Sequence, residues 1–427
     1  MKIVKAGTRG AEAAIRRLER RRRQSGATAE RIARKIIAQV RQHGDRAVSA
    51  LLERLDKVSI APDAILIAPR SLPIESSMSA AIEMAIDRVE RFHRQQAPVG
   101  YSWTDDSGTS VTHRVRPLRR VGIYVPGGRA VYLSTLIMCA VPARIAGVTQ
   151  LVVATTPAAA ATPELQYAAA RLGVSEIYRC GGAGGVAALA LGTETLERVD
   201  KIVGPGNQYV TAAKQLLVSE VGIDMLAGPT ELVLIADRSA DPVLVAADLL
   251  AQAEHGENSS VVCIAETREL SAAIDREVTR QLTAAVDGSA APACIAGNGL
   301  IVIGDRGSAI ELANRIAPEH LSLHCADGPS YAAALENCGA IFENATTPVA
   351  GGDYIIGPNH VLPTGSTARF CSPLGVYDFV KRSNIAHVTA AGMAVLAPAG
   401  EAIARFEGLP LHAESLRLRV PTAGGTP

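Results

Sequence analysis

Val121-Gly122-Ile123-Tyr124-Val125-Pro126-Gly127-Gly128 is the stretch that decides the fold. Its apolar start is too short for a buried helix, reads as a buried strand, and is stopped by Pro-Gly-Gly. A helix from Tyr132 to Gly147 follows, then a strand at Leu151 to Ala154. The same grammar recurs downstream. Glu176-Ile177-Tyr178 runs into Gly181-Gly182-Ala183-Gly184-Gly185 and a helix, and Lys201-Ile202-Val203 runs into Gly204-Pro205-Gly206-Asn207 and a helix to Val218. Strand, glycine turn and helix, three times over, predict a parallel doubly wound sheet. Its ligand belongs at the carboxyl ends of the strands, where the three turns cluster. None of them is the G-x-G-x-x-G dinucleotide fingerprint, and there is no Walker A sequence. Glycine still lets backbone approach a ligand, and a helix amino terminus offers N–H groups to phosphate. One such turn is as readily a tight connection; three together favour an anionic cofactor.

A second alternating set follows. Glu231 to Ala236 reads as a strand, and Asp241-Pro242 as N-cap and first-turn proline of a helix that runs to Gln252 and His255. Strands at 261–265, 300–304, 320–325 and 340–342 alternate with helices, as in a second Rossmann-like domain that also recruits the early helices. Residues 1–60 are helical and charged. The basic run Arg16-Arg17 and Arg20 to Arg23 is interleaved with Glu12 and Glu19, so it reads as a solvated helix face. An apolar stripe (Ile32, Ile36, Ile37, Val40) marks a helix for which Gly44 supplies an end. Ser77 to Gln96 is another helix, and 98–113 an exposed hairpin or loop. Beyond about residue 375 a smaller tail begins at Val376-Tyr377-Asp378-Phe379.

At 427 residues the chain holds two or more domains with ample core. A formal charge of +1 argues against general polyanion binding, and 4% aromatic residues leave little for base stacking. Neither nucleic acid nor membrane is an expected partner: no apolar run approaches a membrane span, and the amino terminus lacks a signal segment. The seven cysteines include no CxxC pair, and some, such as Cys263 in Val261-Val262-Cys263-Ile264, sit in apolar runs. They read as reduced core residues of a cytoplasmic protein.

Chemistry centres on Ala317-Pro318-Glu319-His320-Leu321. Pro318 ends the helix over Ile310 to Ile316, and His320-Leu321-Ser322-Leu323-His324 alternates like a half-buried strand. A carboxylate and an imidazole at such a junction suit acid–base work, although the dipeptide alone is commonplace. Gln252 and His255, spaced i and i+3, share one helix face. Asp353 stands in Gly351-Gly352-Asp353-Tyr354, where capping a turn is its bland role, and His412 in Glu407-Gly408-Leu409-Pro410-Leu411-His412. Gln, His, Asp and His form an N/O donor set without thiolate, which fits a divalent metal at a working site better than a structural zinc.

Seven segments together carry a resemblance. They are RVGIYVPGGRAVY (120–132), GPGNQYVTAAK (204–214), IDMLAGPTELVLIAD (223–237), LLAQAEH (249–255), APEHL (317–321), GDYIIGPNHVLPTGSTARF (352–370) and EGLPLH (407–412). In order and content the chain resembles the histidinol dehydrogenase family over essentially its whole length. The resemblance implies an α/β protein with two Rossmann-like doubly wound domains lacking the usual dinucleotide fingerprint. The first would comprise 23–118 and 231–375 with zinc and catalytic residues, the second 119–230 with NAD-binding turns. A helical arm at 1–22 and a tail at 376–427 would complete the chain.

It further implies four-electron oxidation of L-histidinol through histidinaldehyde to L-histidine, with two NAD and one zinc per site. Gln252, His255, Asp353 and His412 would ligate the zinc, the last across a homodimer with shared sites. His320 would be the base of both hydride steps and Glu319 the activator of water. Thr230 and Glu407, with the zinc ligands and His320, would contact substrate, and Tyr124, Gly184 and Asn207 the NAD. At Gly184 the family typically carries Gln, so weaker NAD binding, or a backbone contact in its place, is expected. Three rivals are a paralogue that oxidises another alcohol, a zinc hydrolase that would leave the glycine turns without a purpose, and a non-catalytic binding or regulatory protein, against which the intact Glu319-His320 pair and ligand set argue.

Overall fold

The computed structural model describes residues 1–22, 26–128, 130–284 and 288–421. The chain forms two compact units, Met1–Gln96 with Leu118–Phe379 and Ala97–Pro117 with Val380–Pro427.

The larger unit carries two six-stranded sheets. In one, the order is Leu66–Ile67, Glu176–Tyr178, Gln150–Ala154, Arg120–Tyr124, Lys201–Val203, Gly222–Ile223. All of its pairs are parallel except the antiparallel edge at Leu66–Ile67. The chain starts at the centre, winds one way, then returns to the other side. The direction therefore reverses between Arg120–Tyr124 and Lys201–Val203, and a crevice opens at their carboxyl ends. The other sheet runs Lys2–Lys5, Gly299–Ile303, Ser260–Ala265, Glu231–Ala236, His320–His324, Ala340–Phe342, parallel throughout. Its central strands are buried at every position, as expected of parallel strands covered on both faces.

Two expectations are corrected. The early helices do not join the later sheet. Ala27–Leu55 buries Ile36, Val40, Val48 and Leu52 against the 119–230 sheet layer around Ala187 and Leu189, and Ser76–His93 buries Ile82, Ile86 and Val89 there on the other side. An apolar stripe shows that a helix has a buried face, not which sheet will cover it. Second, the amino-terminal arm begins with an edge strand, Lys2–Lys5, paired with Gly299–Ile303, and its helix Arg9–Arg22 packs Ile15 and Leu18 on that sheet. The side chains of the Arg20 to Arg23 run lie outside the described residues. Gly44, at φ 50° and ψ −132°, does end one helical run as expected, and a second run continues from it to Leu55.

The boundary expected at 376 falls after Phe379, because Val376 and Phe379 are fully buried in the larger unit. The smaller unit is an antiparallel sheet of Val380–His387, Ser110–Pro117 and Tyr101–Thr104, with helices Ala390–Phe406 and Pro410–Arg417. The hairpin expected within 98–113 is thus realised. All seven cysteines are free, four of them buried, and no described helix is long and apolar enough to cross a membrane.

Candidate active site

A cavity of about 800 Å³ lies within the larger unit. One wall is the carboxyl end of the 119–230 sheet, with Pro126 and the Gly204-Pro205-Gly206-Asn207 turn. The opposite wall is the amino end of the other sheet, with Thr230 before one strand and Glu231 at its start, and Glu319 before the neighbouring strand and His320 at its start. The first wall follows the rule for doubly wound sheets. The second reverses it.

Ala317 closes the helix Arg306–Ile316 in the left-handed region, at φ 50°. That backbone turn, followed by Pro318, swings the chain into the strand and sets Glu319 and His320 at its mouth. Both side chains are buried. Glu319 Oε2 accepts the Thr230 hydroxyl at 2.5 Å and the Glu231 N–H at 3.0 Å. Burial still pushes its carboxyl up to about 7, because those donors and His255 only partly offset desolvation. His320 is moved the other way. Burial lowers its imidazole to about 4, so near neutral pH it is an uncharged base. Its Nδ1 lies 3.3 Å from the Glu231 carbonyl, an arrangement in which Nδ1–H donates and Nε2 keeps the free lone pair.

Asp353, on the short helix Val349–Tyr354, sits among three imidazoles. The separations are 3.8 Å to His255, 3.9 Å to His320 and 4.0 Å to His360. Burial favours its protonated form, but His255, His320 and His360 outweigh that and hold the carboxyl below its usual range. The same carboxylate raises His255. Gln252 lies in the last turn of Pro242–Ala253, and the cap Glu254, still in the right-handed helical region with its N–H on the Leu250 carbonyl, carries that turn on to His255 just past the helix end. His255 lines the cavity.

The site tests well for a cation. Gln252 Nε2 donates to Thr230 Oγ1 at 2.6 Å, which fixes the amide, and its Oε1 is buried without a hydrogen-bond partner. A buried carbonyl oxygen left open is costly unless something electropositive meets it. His255 and Asp353, too far apart to hydrogen-bond, have about the spacing of two ligands of one ion. Among the described residues no three His, Cys, Asp or Glu form a metal cluster, so a cation here needs the Gln252 oxygen and a further donor. Glu407 and His412 belong to the smaller unit, Glu407 as C-cap of Ala390–Phe406 and His412 on Pro410–Arg417, both exposed.

Of the expected NAD contacts, Asn207 lines the cavity. Its Oδ1 caps the helix Gln208–Leu217 by accepting from Tyr209 and Val210 N–H, which leaves its NH2 to meet a ligand. Tyr124 is buried, and its hydroxyl accepts the Gly182 N–H at 2.9 Å. Gly184 is buried against Cys180 and Leu51 and does not line this cavity. Gly127 and Gly181 make room for Thr156, whose hydroxyl donates to the Gly127 carbonyl. Two glycine turns therefore have packing roles as well. Sequence reasoning missed His360, which lines the cavity with Nδ1 on the Asp353 carbonyl at 2.9 Å. Its position beside Gly357-Pro358-Asn359 was the available signal.

Comparisons with known proteins show the family. Residues 19–420 match the histidinol dehydrogenase family. The chain is 42% identical over 392 residues to histidinol dehydrogenase from Cereibacter sphaeroides, covering 90% of each. It is 43% identical over 405 residues to that from Geobacter sulfurreducens, covering 93% of this chain and 94% of the other. The crystal structure of histidinol dehydrogenase from Elizabethkingia anophelis superposes with a TM-score of 0.91 at 32% identity, covering 98% of both chains.

Proposed function

The chain belongs to the histidinol dehydrogenase family, and on that premise we propose how its own residues divide the oxidation of L-histidinol to L-histidine. The protein is an NAD-dependent, zinc-containing oxidoreductase of histidine biosynthesis.

His320 is the base of both oxidations. An alcohol surrenders hydride only as its O–H proton leaves, and the buried, uncharged imidazole takes that proton at Nε2. NAD supplies the hydride acceptor in each step, bound along the Gly204–Asn207 turn with Asn207 as a contact. Glu319 activates the water that hydrates the aldehyde. Its carboxyl, near 7, takes up a proton far more readily than an ordinary carboxylate. Because Glu319 and His320 adjoin, the aldehyde is hydrated and oxidised where it forms.

Gln252 Oε1, His255, Asp353 and His412 would hold the zinc, with His412 donated across a homodimer. When bound, the zinc holds and orients the substrate's imidazole and amine. Glu407 and Thr230 complete the substrate contacts, Thr230 through a lone pair, because its only proton is given to Glu319. A cytoplasmic homodimer is the assembly we propose.

The open Oε1 of Gln252 beside the Glu319–His320 pair is the observation that carries this reading. Its test is NADH formed per L-histidinol consumed by the zinc-loaded protein in excess NAD. A ratio of about two is expected from alcohol-to-acid oxidation by a two-electron carrier. His320→Asn should abolish both steps, and Glu319→Gln should spare the alcohol step far more than the aldehyde step. Equal losses in Glu319→Gln would overturn the division of labour.

A further inference from the structure

Behind the cofactor turn lies a buried ion pair that the reaction does not use. Lys214, on Gln208–Leu217, and Asp224, just after Gly222–Ile223, have side chains 3% and 1% exposed, with Nζ and Oδ1 2.6 Å apart. Besides the Met225 N–H that Asp224 Oδ1 accepts at 2.6 Å, their remaining hydrogen bonds converge on Gly204. Lys214 Nζ donates to the Gly204 carbonyl at 2.6 Å, and Asp224 Oδ2 accepts the Gly204 N–H at 2.7 Å. Gly204 is gripped at both of its peptide groups. It sits at φ 108°, where a Cβ would fall 2.2 Å from the Tyr124 carbonyl oxygen. The turn is therefore pressed onto the end of strand Arg120–Tyr124, at the point where strand order reverses.

The same helix makes a second attachment one turn earlier. Thr211 Oγ1 donates to the Ala227 carbonyl at 2.7 Å. Lys214 and Thr211, three residues apart on one face, thus tie the Gly204 turn to the segment 224–227 that leads into Thr230. Burying two charges gives little net stability against an apolar pair of like size. Fixing the turn is the use that the hydrogen-bond geometry indicates.

We propose that Lys214 and Asp224 are positioning residues for the cofactor: they lock the Gly204–Asn207 turn, and so Asn207, in the conformation that receives NAD. This rests on reading that turn as the cofactor site. Without the lock the turn samples conformations that do not bind, and apparent affinity falls by the fraction that remains competent.

The test is the dissociation constants of NAD and of L-histidinol, each measured alone by calorimetry on zinc-loaded protein. Removing one charge strands the other and risks unfolding. The informative variant is therefore the double substitution Lys214→Met with Asp224→Asn, checked by circular dichroism, with Asp224→Asn alone as a second variant. The double variant should bind NAD at least tenfold more weakly while the histidinol constant changes less than threefold. A merely structural role would move both constants or neither, and either result overturns the proposal. Asn207→Ala separates this from the underlying reading. If it weakens NAD binding and the folded double variant does not, the positioning role is wrong and the site stands. If neither variant affects NAD, the turn is not the cofactor site and both readings fall.

Discussion

Thr230 gives its hydroxyl proton to Glu319 at 2.5 Å and at the same oxygen accepts the Gln252 amide at 2.6 Å. One small side chain thereby sets the carboxylate proposed to activate water and orients the amide whose unpartnered oxygen is proposed to serve the cation. Thr230→Val keeps the shape and removes both bonds. It strands the Gln252 NH2 and leaves Glu319 with one donor, so stability should drop by about 1–3 kcal/mol, the cost of unsatisfied buried polar groups. Thr230→Ser should restore most of it. Thermal unfolding of the two variants checks this, and equal melting temperatures would sink the bridging role.

Glu319 also fixes a pH dependence. Its carboxyl is raised to about 7, mainly by burial, so the active carboxylate is present above that value and is lost as pH falls through it. His320 is lowered to about 4 and stays an uncharged base throughout that window. On acidification from pH 8 to pH 5.5 the aldehyde step should therefore fail first. In single-turnover experiments with histidinol and with histidinaldehyde, the aldehyde rate should fall about tenfold for each pH unit below 7. Parallel pH profiles for the two substrates would contradict the assignment. The stability window follows from the same shift: between the ordinary value of 4.5 and about 7 the folded state keeps a proton that the unfolded chain releases, so the contribution of Glu319 to stability falls as pH rises from 4.5 to 7 and the full burden persists above that.

Much of this was legible beforehand. The short apolar runs around 121–124, 201–203 and 231–236, each ending in a turn signal, specify parallel strands because local periodicity and turn chemistry agree there. Glu319 and His320 were legible because Pro318 forces the helix to stop. The partner of an amphipathic helix was not. The stripe of Ile36 and Val40 has no local feature that names the sheet it packs on, and it is buried with the earlier one. The Thr230–Glu319 bond joins residues 89 apart in the chain, beyond any local pattern. His360 was overlooked for a like reason, since its tie to Asp353 depends on how the turn at 355–358 folds back.

Metal removal should expose the role of Gln252. With its NH2 held by Thr230, only Oε1 can serve a cation. Gln252→Leu should lower bound zinc well below one per subunit, by elemental analysis after dialysis. Zinc at 100 times its dissociation constant stabilises a native state by about 2.7 kcal/mol, so chelation should lower the melting temperature of the parent protein. The same chelator should barely shift Gln252→Leu. A variant that retains a full zinc complement would remove Gln252 from the ligand set.

Gly184 offers the sharpest packing test. A Cβ there would lie 3.0 Å from Cys180 Sγ and 3.2 Å from Leu51 Cδ1, both on buried side chains that have little room to give. Installing glutamine should therefore overpack the contact with helix Ala27–Leu55, at a cost of about 1–3 kcal/mol. The helix gains about 1 kcal/mol from replacing glycine, which leaves a net loss on the order of 1 kcal/mol. Gly184→Gln should melt earlier than the parent, and a second change, Cys180→Ala, should return most of the loss by clearing the sulfur. If glutamine at 184 also reaches the cofactor, the Michaelis constant for NAD should fall in the double variant, where its side chain is free to extend. An unchanged constant there would mean that Gly184 marks a packing choice against Cys180 and not a weakened cofactor site.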